Sequence, residues 1–237
     1  MADFKKMIAL AFKGFCMGVA DVIPGVSGGT VAFLTGIYEE LIQSIASFDT
    51  QFLREIGKGR LKTAFSKTGW KFLAVLLTGI LTAIFSLSHV LKWLMEDYPV
   101  YVYAFFFGLI LTTVFVIAQK IQKGDFAKLS IGIVSTFVMF RLAGMIPMQT
   151  PETWWFLFFS GAVAICAMIL PGISGAYILL LLGKYRYVIT AVSERNVGVL
   201  IIVALGCAVG LLCFTRILRL VLTRYHDLSL SVLAGLV

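Results

Sequence analysis

Pro24-Gly25-Val26-Ser27-Gly28 and Pro171-Gly172-Ile173-Ser174-Gly175 are one signal met twice, each time inside an apolar stretch. Proline removes a helix hydrogen bond and glycine has little helix preference, so each copy should break a membrane helix rather than continue it. The two prolines lie 147 residues apart (171 minus 24), and Gly14 with Gly161, Gly36 with Gly183 and Tyr38 with Tyr185 coincide at the same offset. The chain therefore reads as an internal repeat of a broken-helix unit. Interrupted hydrophobic segments at corresponding places in two halves point to a substrate site at the repeat interface, as in many secondary transporters.

Composition sets the solvent. Apolar residues are 60% of the 237 and charged residues 14%, with mean hydropathy +0.98, which makes an all-α polytopic membrane protein of a single membrane domain, 1–237. The first apolar stretch carries internal Gly and Pro and no small-residue cleavage site, so it is expected to stay in the mature chain. The net charge of +8 lies between apolar segments, where positive-inside sorting and anionic headgroups account for it and nucleic acid is not expected. Cys16, Cys166, Cys207 and Cys213 lie in apolar segments without metal-ligand spacing and read as packing residues; no metal or other cofactor is expected.

Lys5, Lys6 and Lys13 belong at the cytoplasmic interface, leaving residues 14–23 before the first break, roughly 15 Å at 1.5 Å per residue. That is half a bilayer core, and the return through residues 26–38 to Glu39 and Glu40 is again short of a full crossing. A re-entrant hairpin over about 7–47 follows, with its counterpart over about 154–192, inside a first repeat 1–120 and a second repeat 121–237. Residues 48–71 hold Arg54, Lys58, Arg60, Lys62 and Lys67 against Asp49 and Glu55, and are expected on the cytoplasmic side. Spans are expected over 70–91, 100–119 and 129–146. Their links are acidic (Glu96, Asp97), basic (120–128) and free of Lys and Arg (147–152) in turn. Three crossings make the two repeats inverted, with Trp154 and Trp155 in an aromatic belt. Lys184, Arg186 and Arg195 then fall outside, against the positive-inside rule. A span over 197–218 returns to Arg216, Arg219 and Arg224, and another apolar stretch starts at Leu228 and reads as unfinished at residue 237.

A half-helix that starts inside a membrane presents unpaired N–H groups and a positive dipole end to any anion. Gly25, Gly28 and Gly29 would admit an anion to the backbone, with Ser27 and Thr30 adding hydroxyl donors; Gly172, Ser174, Gly175 and Tyr177 do so in the second copy. Two such ends entering from opposite faces could share one anionic headgroup. The plainer alternative is that both Pro-Gly pairs only kink packed helices. Asp21, three residues before Pro24, is costly in an apolar segment and becomes the candidate for proton or cation coupling, with Glu39 second; Met168 is its counterpart in the other half. A purely structural carboxylate that holds the broken backbone is the competing reading. Arg141 is embedded in an apolar segment and could pair with Asp21 or a phosphate, or snorkel to the outer interface; His89 reads as an interface residue.

The run Lys13-Gly14, Met17-Gly18, Ala20-Asp21, Pro24-Gly25-Val26-Ser27-Gly28-Gly29-Thr30 with Gly36-Ile37-Tyr38, together with Leu170-Pro171-Gly172-Ile173-Ser174-Gly175, resembles the PopT family of bacterial polyprenyl-phosphate transporters over essentially the whole chain. The resemblance implies a flippase in the bacterial plasma membrane, N-terminus cytoplasmic, that returns undecaprenyl phosphate from the outer to the inner leaflet for cell-wall synthesis. A homo-oligomer stays open. The rival class is the integral-membrane undecaprenyl-pyrophosphate phosphatases, which also use duplicated hairpins with a Pro-Gly-x-Ser turn. They follow that serine with an arginine, whereas Gly28 and Gly175 stand here, and no cluster of cations is on hand to clamp a transferring phosphoryl group. No catalytic residue is therefore expected. A small-anion channel on paired hairpins is the third reading.

Overall fold

The computed structural model describes residues 2–22, 27–120 and 126–237, all of them helix or connection, with no strand among them. Pro24 and Gly25 lie outside the described residues, as does the side chain of His89. The helices are α1 (Ala2–Val22), α2 (Gly28–Leu34), α3 (Tyr38–Ala46), α4 (Thr50–Gly57), α5 (Leu61–Ser66), α6 (Trp70–Asp97) and α7 (Pro99–Lys120), then α8 (Phe126–Ala143), α9 (Trp154–Ile169), α10 (Gly175–Leu181), α11 (Tyr185–Ser193), α12 (Val197–Arg224) and α13 (His226–Leu236).

One helical order occurs twice. A long apolar helix (α1, α9) is followed by a 7-residue helix (α2, α10), a 9-residue helix (α3, α11) and a 28-residue helix (α6, α12). The corners agree residue by residue. Gly36 N–H bonds Phe33 O and Ile37 N–H bonds Ala32 O; Gly183 N–H bonds Leu180 O and Lys184 N–H bonds Leu179 O. Both are Schellman ends, and both need the left-handed backbone of their glycine, φ +73 at Gly36 and +65 at Gly183. The 28-residue helices correspond at a different offset, 127 (197 minus 70), which also aligns Gly79 with Gly206 and the capping Tyr98 with Tyr225. The two offsets differ by 20, which is accounted for by α4 and α5, a pair without counterpart in the second half.

Within each half the long helices lock by glycine. Gly14 rests on the Leu76 carbonyl and Gly79 on that of Ala11, so α1 and α6 meet backbone to backbone; Gly161 on Val203, Gly206 on Phe158 and Gly210 on Ala162 do the same for α9 and α12. Small residues permit this approach where no water is present to drive apolar association. The thiols follow the same seam: Cys166 donates to Gly210 O at 3.5 Å and Cys207 to Gly161 O at 3.3 Å. α13 packs between α7 and α8 and is tied to α8 by Lys128 Nζ on Asp227 Oδ2 at 2.6 Å.

The core of buried residues joins both halves, with Val31, Phe33, Tyr38 and Ile42 of α2 and α3 packed among Leu76, Phe106, Ile169, Leu218 and Leu230. Much of the outside is apolar too: Phe85, Val100, Phe140 and Ile146 are each at least 75% exposed, a surface that suits hydrocarbon rather than water. By length and apolarity Trp70–Leu87 and Val197–Arg224 qualify as membrane spans among the described residues. A third arises if α10 and α11, bent by 113° at Gly183, are counted together, while Pro99–Phe115 and Trp154–Ile169 are shorter apolar helices.

Candidate functional site

The first break is closed by its own chain. Asp21, in the last turn of α1, accepts a hydrogen bond on Oδ1 from Gly28 N–H at 2.7 Å, at the first residue of α2. Ser27, extended at the N-cap, accepts from Gly29 N–H at 3.2 Å, and Thr30 N–H returns to Ser27 O at 2.9 Å. The leading amides of α2, which an isolated helix leaves orphaned, are thus held by a carboxylate and a hydroxyl. Gly28 is required by that approach, since a Cβ there would stand 2.6 and 2.8 Å from the two Asp21 oxygens. Among the described residues no ion pair joins Asp21 to Arg141.

The second break follows another pattern. Leu170 leaves the helix at φ −69, ψ 129, as a residue before proline must, and Gly172 turns the chain at φ +83. Ser174 is extended at the N-cap of α10 but makes no capping hydrogen bond. Met168 stands where Asp21 stands in the first half, so no carboxylate reaches these amides. Gly175 is buried, and a Cβ on it would lie 2.8 Å from Ala164 O.

The two breaks touch. Thr30, 2% exposed, accepts a hydrogen bond on Oγ1 from Gly172 N–H at 2.9 Å, across 142 residues of chain. Gly29 faces the end of α9, where a Cβ would come within 3.0 Å of Ile169 O. Ser27, Gly28, Gly29, Thr30 and Gly172 therefore share one buried place, with Ser174 and Gly175 next along the chain. Tyr177 turns elsewhere: its hydroxyl donates to Leu142 O and Ala143 O, both at 3.0 Å, at the end of α8. Arg141 is exposed in the last turn of that same helix. These two residues belong to a second locality.

Glu39 has a partner that the sequence reading lacked. Its Oε1 is 3.0 Å from Nε2 of His226, at the junction of α12 and α13. The Glu39 carboxylate beside the imidazole, and after it Asp227, push the His226 pKa above the usual histidine value. Glu39 lies between two cavities, one of about 190 Å³ that Arg219, Thr223 and His226 also line, and one of about 540 Å³ bounded by Phe33, Tyr38 and Glu40. Lys184, one of the three cations expected outside, is buried. It is 1% exposed, its Nζ donates to Thr150 O at 2.8 Å, and the rings of Phe156 and Tyr187 lie 5.6 and 6.0 Å away. A cation buried against a carbonyl and two aromatic faces is a packed structural group, which relieves part of the conflict with the positive-inside rule.

Taken together, the shared place gathers backbone N–H groups, three hydroxyls and one carboxylate in an apolar surround. That donor set suits an oxyanion and lacks the cationic clamp of phosphoryl-transfer sites. No solved structure matches the chain. A polyprenyl-phosphate transporter of Vibrio cholerae serotype O1 is 41% identical over 224 residues, 94% of this chain and 73% of its own. A polyprenyl-phosphate transporter of Staphylococcus aureus is 30% identical over 258 residues, all of this chain and 85% of its own. The model of the undecaprenyl phosphate translocase-like family matches residues 17–237, and the chain is a member of that transporter family rather than an enzyme.

Proposed function

We propose that this protein carries polyprenyl phosphate, and undecaprenyl phosphate in particular, from the outer to the inner leaflet of a bacterial plasma membrane. The observation that carries the reading is the bond between Gly172 N–H and Thr30 Oγ1, because it joins the two helix breaks in one buried place. The names of both relatives supply the substrate class. In this reading each half is a repeat (1–120 and 121–237), inverted with respect to the other, and each break is the turn of a re-entrant hairpin. The matched helix lengths, corner geometry and glycine seams support the repeat, and the acidic and basic alternation of the links supports the inversion, with the N-terminus cytoplasmic.

The phosphate is held between Ser27, Gly28, Gly29 and Thr30 on one side and Gly172, Ser174 and Gly175 on the other; Gly25, outside the described residues, is assigned to the first group from the sequence alone. Most of the tail stays in lipid, so chiefly the head has to cross the apolar layer, where an uncompensated charge would cost several kcal/mol or more. Asp21 is the coupling group. It already occupies Gly28 N–H, so an incoming phosphate and the Asp21 carboxylate compete for one donor. Protonation, or a cation on the carboxylate, resolves that competition by removing the repulsion between two anions. Glu39, held beside His226, is the second candidate for the coupling role. Arg141 and Tyr177 serve as an outer approach at the end of α8.

The test is native mass spectrometry of the purified protein with undecaprenyl phosphate, for the wild type and the Ser27→Ala/Ser174→Ala double variant, scoring retained lipid and released phosphate. Intact lipid that the variant loses supports the carrier. Released phosphate would make the protein a phosphatase, and equal retention would move the headgroup away from the breaks.

A further inference from the structure

A groove of about 380 Å³ runs between α8, α12 and α13, walled by Ile131, Leu170, Leu218, Val221, Val232 and Leu233. The hydroxyl of Ser229 at its edge is already engaged, donating to Tyr225 O at 2.8 Å and Val221 O at 3.3 Å. The remaining wall is hydrocarbon up to the Tyr225 ring, which the Arg224 guanidinium covers at 5.7 Å. Along α12 the groove extends from Leu218 to Tyr225, roughly 10 Å at 1.5 Å per residue.

Its inner end is the informative one. Leu170 is both a wall of the groove and the residue before Pro171-Gly172, and the Gly172 N–H is the one bonded to Thr30. Gly172 also backs directly onto Leu236 and Val237, the end of α13. The groove therefore opens within two residues of the contact between the breaks, and α13 forms part of both. The geometry points to this groove as the seat of the first isoprene units of the polyprenyl tail, an inference that rests on the phosphate binding at the breaks. A bulk phospholipid keeps its headgroup at the interface and reaches this depth only with loose chain ends. A lipid anchored by its phosphate beside Gly172 has Leu170 as its nearest apolar wall. In hydrocarbon the gain comes from close packing and from tethering to an anchored head, since apolar surface is no longer being removed from water.

The experiment compares methyl phosphate, farnesyl phosphate and phosphatidylglycerol on the full chain in detergent, for the wild type, a Val221→Trp/Val232→Trp variant that fills the groove, and Ser27→Ala/Ser174→Ala. Filling the groove should weaken farnesyl phosphate by about ten-fold and leave methyl phosphate, which has no isoprene, within about two-fold. The serine variant should weaken both. Unchanged farnesyl phosphate affinity in the tryptophan variant, with a loss in the serine variant, overturns the groove and leaves the headgroup reading standing. A loss confined to the tryptophan variant overturns the headgroup reading instead. Equal competition by phosphatidylglycerol overturns the groove as a tail site. A farnesyl phosphate bearing a diazirine on its second isoprene, crosslinked to the unaltered protein, needs no variant: label on α12 and α13 is expected, and label confined to other helices overturns the proposal.

Discussion

The two helix breaks share a backbone and differ in what fills them. At the first, Asp21 and Ser27 hold the leading amides of α2; at the second, Met168 and an unbonded Ser174 leave those of α10 without a side-chain acceptor. The corners that follow repeat the lesson. Gly36 and Gly183 have the same left-handed turn, yet a Cβ at Gly36 would meet nothing while one at Gly183 would strike the Met148 carbonyl. The two regions share the geometry of turning and differ in their surroundings: one is capped by its own side chains and the other carries no side-chain cap.

The harshest way to break the comparison is Gly172→Val. It imposes a β-branched side chain on φ +83 and drives it into Leu236 and Val237, so a loss of about 3 kcal/mol or more is expected, read as a large fall in Tm in detergent. At the corners, Gly36→Ala should cost about 1 kcal/mol from its φ alone, and Gly183→Ala distinctly more. Equal losses at the two corners would erase the asymmetry there.

Thr30→Val leaves the partly buried Gly172 N–H without its acceptor and should cost about 1–3 kcal/mol, with Thr30→Ser restoring most of it. Indifference to both substitutions would unlink the breaks. Asp21→Ala should cost about 1 kcal/mol as a lost cap, and Asp21→Asn should also flatten the pH dependence of lipid transport in proteoliposomes. A normal pH profile in Asp21→Asn would leave the carboxylate a purely structural part.

The smallest expected effect is at Glu39 and His226, both about half exposed, where screening holds the pair to a few tenths of a kcal/mol. Because the folded imidazole has the higher pKa, its contribution is complete below the usual histidine range and is lost as pH rises through the raised value. His226→Gln should therefore lower Tm slightly at about pH 5.5 and not at about pH 8.5. A deficit that persists at the higher pH would mean packing rather than charge.

The 147-residue offset was legible because Pro, Gly and Ser mark breaks in any apolar context. The 127-residue offset of α6 and α12 was not, because their shared positions are few and the α4–α5 insertion shifts the frame by 20 residues. Asp21 could be singled out as an isolated carboxylate, but its bond to Gly28 depends on how α1 and α2 fold back on each other. The bond from Gly172 to Thr30 spans 142 residues and leaves no local trace. The burial of Lys184 left no mark in the sequence because its partners, Thr150, Phe156 and Tyr187, come from segments that only the fold brings together. His226 drew no attention because a histidine between a basic cluster and an apolar stretch resembles any interface residue.

The glycine seams set the mechanics of this carrier. Where Gly14, Gly79, Gly161, Gly206 and Gly210 rest on the facing main chain, α1 with α6 and α9 with α12 behave as two stiff struts that cannot slide without collision. The link seen between the breaks is the hydrogen bond from Gly172 to Thr30. If the headgroup binds there as proposed, it acts on a joint held by a bond of about 1 kcal/mol between two tightly seamed bodies, and has the leverage to tip it.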